Sequence, residues 1–126
     1  MKKIITTTEA PAPIGPYNQA VLTGNTLYTS GQIAINPETS ELVLEDIKSE
    51  TTQVMNNLKA VLKAADMTFE NVIKSTIFIS NMDDFVNIND VYGSYFDDAT
   101  APARETVQVA RLPKNVNVEI SIIAIK

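Results

Sequence analysis

Cysteine, histidine and tryptophan are all absent from the 126 residues. Without cysteine there is no disulfide framework, no thiolate metal site and no thiol nucleophile. Without histidine there is no Ser-His-Asp triad and no imidazole base. Acid–base chemistry near neutral pH is left to carboxylates, lysine, tyrosine, hydroxyls, backbone groups and ordered water. Positive charge is scarce as well: 10 lysines and arginines stand against 15 aspartates and glutamates, a net charge of −5. Nucleic-acid affinity rests on cations that neutralise phosphates, so no nucleic-acid partner is expected. Long apolar runs are also missing. The run Ile122-Ile123-Ala124-Ile125 cannot span a bilayer, and Met1-Lys2-Lys3 leads into no apolar stretch of signal-peptide length. No membrane partner is expected, and a soluble cytoplasmic protein is the default expectation.

What is present is ordinary globular material, 44% hydrophobic and 20% charged, with no internal repeat, low-complexity tract or linker. A single domain over residues 1–126 is expected. A short β-prone start at residues 3–7 leads into Ala10-Pro11-Ala12-Pro13-Ile14-Gly15-Pro16, whose three prolines forbid regular ladder pairing and predict an ordered, extended loop. Residues 19–23 and 26–30 flank Gly24-Asn25 and read as a hairpin; Asn36-Pro37-Glu38-Thr39-Ser40 reads as a turn. Val54, Leu58, Val61, Leu62 and Ala65 make one stripe at helical spacing over residues 47–65. Asp46 is its N-cap, Ser49 and Glu50 lie in its first turn, and Glu50, Gln53, Asn57 and Lys63 are available for water. Residues 72–80 are β-branched with apolar side chains on both parities, a strand covered on both faces. A second amphipathic helix is expected from residue 83 or 84 to 96. Strands follow at 103–110 and 116–125, with a turn at Leu112-Pro113-Lys114-Asn115. Two helices cover one face of such a sheet and no more, yet the last strand sends Ile123 and Ile125 to the other face. A second subunit is the expected cover, against the plainer alternative of a few exposed isoleucines.

Candidate chemistry concentrates late in the chain. Pro102 enforces an extended entry, so Arg104 stands at the mouth of a strand. Alternation then sends Arg104, Thr106 and Gln108 to one face and Glu105, Val107 and Val109 to the other. A guanidinium followed two positions later by a hydroxyl suits an anion clamp; a surface or ion-paired arginine fits the spacing as well. Glu119 lies inside an apolar strand, where burial would raise its pKa towards the range useful for proton transfer unless a cation such as Arg104 offset it; a solvent-facing or structurally paired residue is the alternative. Tyr17 could present a phenol from the loop after Gly15-Pro16 or pack within it. Ser30-Gly31 ends a strand with a hydroxyl and a permissive glycine, and Asn87 lies among apolar helix residues.

Taken together, these segments resemble one family. Ile14-Gly15-Pro16-Tyr17-Asn18-Gln19-Ala20, Thr29-Ser30-Gly31-Gln32-Ile33, Pro102-Ala103-Arg104-Glu105-Thr106-Val107 and Val109-Ala110-Arg111-Leu112-Pro113 through Val118-Glu119-Ile120 occur in order. They resemble the Rid (YjgF-type) family of reactive-intermediate imine deaminases, in its RidA-like branch, over essentially the whole chain. The resemblance implies an α+β, chorismate-mutase-like fold: a mixed sheet with two helices on one face, assembled as a homotrimer around a central barrel with sites between subunits. It implies hydrolysis of 2-imino acids or their enamines (2-aminoacrylate, 2-iminobutanoate, 2-iminopropanoate) to 2-keto acids and ammonia, with neither metal nor organic cofactor. On this reading Arg104 holds the substrate carboxylate, and Thr106 with its backbone contacts the imine nitrogen or keto oxygen. Glu119 positions water and relays a proton, while Tyr17, Ser30, Gly31 and Asn87 line the cleft. Two other functions are compatible with such a site: a regulatory protein binding a small carboxylate without turnover, and an endoribonuclease or translation inhibitor, which the charge and the missing histidine oppose. Three positions depart from the usual pattern. Glu105 replaces a small hydroxylic residue and would weaken the clamp if it curled back, Thr106 stands where relatives often carry cysteine, and Asn18 replaces a common serine.

Overall fold

The apolar stripe of the first helical segment becomes α1 (Ile47–Ala64) in the computed structural model, which describes all of residues 1–126. Asp46 caps it as expected: its carboxylate accepts from the Ser49 N–H at 2.8 Å, and that hydrogen bond holds the Asp46 pKa below the usual value. Around it the chain forms strands β1 (Lys2–Ile5), β2 (Ala20–Thr23), β3 (Thr26–Thr29), β4 (Val72–Ile79), β5 (Ala103–Gln108) and β6 (Val118–Ile125), and a second helix α2 (Phe85–Gly93). The strands make one sheet in the order β1-β2-β3-β6-β4-β5. The β4–β5 pair, joined through α2, is parallel and every other pair is antiparallel. This is the expected α+β arrangement of a mixed sheet with two helices. Neither helix is long and apolar enough to cross a membrane.

The core lies between the helices and one sheet face. Val54, Met55, Leu58, Val61 and Leu62 of α1 and Ile88 and Tyr92 of α2 meet Ile77 and Ile79 of β4 and Val118, Ile120 and Ile122 of β6, all buried. The other face keeps a row of apolar side chains. Ile4 pairs with Val21, Val21 with Tyr28 and Tyr28 with Ile123 across successive strands. Ile4 and Tyr28 remain 39% and 49% exposed, too large an apolar strip for an isolated chain to leave wet without consequence.

Several expectations need correction. Glu50 and Asn57 do not face water. Glu50 is fully buried, its carboxylate accepting from the Asn117 and Val118 N–H groups and the Asn117 amide at 2.7–3.2 Å. Asn57 is also buried and donates to the Ile33 and Ile35 carbonyls, while Gln53 donates to Asn57. The second helix ends at Gly93 rather than residue 96, because Tyr95 and Phe96 leave the helical path to pack on Phe69, with Phe96 also against Tyr92. The last two strands are shorter than predicted: Val109 and Ala110 lie past β5, and Val116 packs with Ile33 and Leu112 before β6 begins.

Candidate active site

Pro102 admits the chain to β5, and Arg104 pairs in register with Ser75, which is buried beneath the helices. Arg104 therefore points to the helix side of the sheet. Its Nη1 donates to Asn89 Oδ1 at 2.5 Å, and its guanidinium carbon lies 5.6 Å and 5.3 Å from the ring centroids of Phe85 and Tyr92. Such cation–ring contacts fix a guanidinium without neutralising it. Tyr92 is a firm floor: its hydroxyl donates to Ser75 Oγ at 2.8 Å in the interior, and burial raises its pKa, so the ring stays neutral. No carboxylate pairs with Arg104. Glu105 follows the predicted alternation to the opposite face, where it is ion-paired with Lys74. A cavity of about 350 Å³ opens beside the guanidinium, lined also by Asp98, Ala101 and Phe96. Thr106, two positions along the same face, carries a buried hydroxyl with no hydrogen-bond partner. A buried hydroxyl left unpaired is a group waiting for one.

Glu119 lies on the other side of the sheet, in register with Phe78. It is half-buried, its carboxylate takes part in no hydrogen bond or ion pair, and burial raises its pKa. Around it Tyr17, Gly31, Gln32, Ile33 and Pro113 line a small cavity of about 80 Å³. Gly31 is required there. A Cβ at that position would lie 2.7 Å from the Glu119 carboxyl carbon and 3.0 Å from Oε1. The obstacle is a side chain that can swing away, so Gly31→Ala is expected to move the Glu119 carboxylate and leave the fold nearly as stable. The expected readout is a midpoint of thermal unfolding within a few degrees of wild type and an activity lowered about tenfold.

The proline-rich loop that carries Tyr17 is pinned by Gln19, a residue whose role the sequence did not disclose. Its buried amide nitrogen donates to the carbonyls of Thr7, Ala10 and Pro11, and its oxygen accepts from the Thr7 N–H at 2.7 Å. Tyr17 Oη accepts from the Ile14 N–H at 3.4 Å. The Ser30 hydroxyl is spent on the Asn18 carbonyl at 2.5 Å and lines neither cavity, so the backbone rather than the side chain at position 18 matters locally. Asn87 is exposed and reaches neither cavity. The asparagine against Arg104 is Asn89, two residues and about 200° further round the helix.

One protomer thus brings Arg104, Asn89 and Thr106 to one face and Tyr17, Gly31 and Glu119 to the other. It does not join them: the sheet stands between an unopposed cation and an unopposed acid.

Comparison with known proteins places the chain in a known group. A family model described as endoribonuclease L-PSP matches residues 7–126. A 2-iminobutanoate/2-iminopropanoate deaminase of Dermatophagoides farinae is 50% identical over 124 residues, covering 98% of this chain and 96% of that one. Among solved structures, YyfA of Yersinia pestis, a Rid-family protein of unknown function, superposes with a TM-score of 0.97 at 47% identity over 100% of both chains. Escherichia coli TdcF with bound serine superposes with a TM-score of 0.92 at 44% identity over 98% of each.

Proposed function

Because the chain belongs to the Rid family, the family of the endoribonuclease L-PSP model, we propose that it hydrolyses 2-imino acids and their enamine tautomers to 2-keto acids and ammonia. The observation that carries this reading is the Arg104 guanidinium, held by Asn89 and two rings beside a cavity and ion-paired with no carboxylate. Such a fork grips a substrate α-carboxylate through two charge-assisted hydrogen bonds. The deaminase from Dermatophagoides farinae and the serine bound to TdcF support a small amino-acid-like ligand.

An imine carbon is already electrophilic, so water suffices as nucleophile. Glu119 accepts a proton as water adds to the C=N bond, and its raised pKa makes it a better base than an ordinary carboxylate. Glu119 returns that proton to the nitrogen to give the carbinolamine, which collapses to the keto acid as its hydroxyl proton passes to the departing nitrogen, releasing ammonia. Thr106, with its unpaired hydroxyl, contacts the nitrogen or the keto oxygen. Arg104 and Glu119 act on one substrate only if neighbouring copies join the two half-sites. The exposed strip of Ile4 and Tyr28 supplies a face on which copies can pack, and the homotrimer of clefts between subunits is the assembly we propose. An RNA substrate is opposed by the −5 charge and by the lack of histidine.

The test couples the protein to a threonine dehydratase and follows 2-ketobutyrate formation where spontaneous imine hydrolysis is slow. Wild type is expected to accelerate it; Arg104-dependent binding of 2-ketobutyrate without acceleration would instead identify a carboxylate sensor. The rate with wild type is expected to rise with pH through the elevated Glu119 pKa, and Glu119→Gln to be slow with a flat profile. Stability moves the other way. The folded chain holds the Glu119 proton more tightly than the unfolded chain, so stability falls as pH climbs from the ordinary glutamate pKa through the elevated one. Glu119→Gln should therefore melt above wild type at neutral pH and level with it near pH 4.

A further inference from the structure

Beside the Glu119 cavity lies a second, larger one. The two share Pro11, Ala12, Ile14 and Ile35 as walls, and the larger, a groove of about 530 Å³, lies between the proline-rich loop and the turn at residues 36–40. The short alkyl side chain of an imine derived from threonine or serine leaves most of that space unused. The shared walls are apolar, while elsewhere the groove is lined by Thr7, Thr8, Ser40 and Lys114 among others. Lys114 is its one ionisable side chain and joins none of the protein's ion pairs.

The backbone there is unusual too. Lys114 sits at φ 55°, ψ 21°, and Asn115 follows at φ 56°, two successive non-glycine residues in the left-handed region. That conformation costs free energy and persists only where its surroundings impose it. Here Pro113 fixes the entry, the Asn115 N–H donates to the Leu112 carbonyl at 3.0 Å, and Arg111 Nε donates to Asn115 Oδ1 at 2.7 Å. A strained, braced turn thus delivers an unpaired cation to a groove that shares its apolar walls with the Glu119 cavity.

We propose that this groove is a side-chain subsite for substrates with a second, distal carboxylate: dicarboxylic 2-imino acids whose methylenes lie along Pro11, Ile14 and Ile35 and whose anionic end meets Lys114. Lys114 is then a specificity-determining residue, and the inference rests on the hydrolytic reading of the same site. Charge is what separates it from mere length, since an uncharged chain of equal reach would use the walls and ignore the cation.

The experiment compares three imines generated in place by amino-acid oxidases, those of glutamate, norleucine and 2-aminobutyrate, with wild type, Lys114→Gln and Lys114→Arg. The ratio of kcat/KM for the glutamate imine over the norleucine imine is expected to be about tenfold in wild type, to persist in Lys114→Arg and to fall to about one in Lys114→Gln. A wild-type ratio near one, or a ratio that Lys114→Gln leaves unchanged, overturns the subsite. A parallel NMR titration with 2-oxoglutarate and 2-ketobutyrate keeps the two readings apart. A Lys114-dependent preference for 2-oxoglutarate without hydrolysis of any imine would sustain the subsite and overturn the reaction. Hydrolysis with equal binding of both keto acids would do the reverse, and neither activity nor preference would overturn both.

Discussion

Arg104→Ala is expected to lower kcat/KM for keto-acid formation by about 100-fold while barely moving the thermal midpoint. Hydrogen bonds to charged groups contribute roughly 1.5–3 kcal/mol each, and about 2.7 kcal/mol is a factor of 100. No other cation lines the cavity, which contains Asp98, so the truncated site would repel the carboxylate that Arg104 is proposed to hold. Stability changes little because the side chain is exposed and loses only Asn89 and two ring contacts. Arg104→Lys should recover little, since a point charge cannot reproduce the planar fork. The separation of Arg104 and Glu119 by the sheet adds a sharper expectation. Unfolded and refolded together, Arg104→Ala and Glu119→Gln chains should regain activity that neither has alone, because a mixed assembly of the proposed kind would contain a cleft that draws an intact Arg104 from one copy and an intact Glu119 from the next. Equal numbers of both chains would restore about a quarter of the sites. Mixtures as inactive as their components would mean that one copy supplies both groups, and the shared cleft would have to be abandoned.

Where local periodicity carried the information, the sequence was legible. The α1 stripe, the Gly24-Asn25 hairpin and the alternation that turns Glu105 away from Arg104 all follow from spacing, and the structure keeps them. Spacing also contained a signal for Asn89 that the choice of Asn87 passed over. Phe85, Asn89 and Tyr92 recur at intervals of four and three, which is one helix face, and Arg104 rests against all three. What could not be read locally depends on partners far along the chain. Glu50 and Asn57 look like solvent-facing polar residues because the groups that bury them come from Asn117 and Val118, and from Ile33 and Ile35. The division of the candidate site was hidden for the same reason. Each strand's alternation was plain, but only the registers Ser75 with Arg104 and Phe78 with Glu119 reveal that the two groups face opposite ways.

Glu50→Ala is expected to cost the most stability of any single substitution considered, about 3–5 kcal/mol, or roughly 10–15 °C in the midpoint for a chain of this size. One buried carboxylate accepts from the Asn117 N–H at 2.8 Å, the Asn117 amide at 2.7 Å and the Val118 N–H at 3.2 Å. Removing it strands the buried Val118 N–H and the two part-buried Asn117 donors, and each unsatisfied group costs about 1–3 kcal/mol. The position of Glu50 in the first turn of α1 favours a negative charge there, which a neutral replacement forfeits. Glu50→Gln should fall between the two, since its carbonyl oxygen keeps one partner while its NH₂ group meets donors instead of acceptors. Both variants should also slow catalysis beyond their loss of folded protein. Asn117 is the point where α1, the start of β6 and, through the Ser80 N–H at 3.0 Å, the end of β4 are tied together, and Glu119 follows two residues later. A loosened Asn117 lets the proposed base wander by distances that hydrolysis does not tolerate. Urea unfolding measures the first effect and the keto-acid assay at a temperature well below the midpoint measures the second. A loss of stability under about 1 kcal/mol would mean that the Asn117 and Val118 donors find other partners, and that Glu50 is not the staple described.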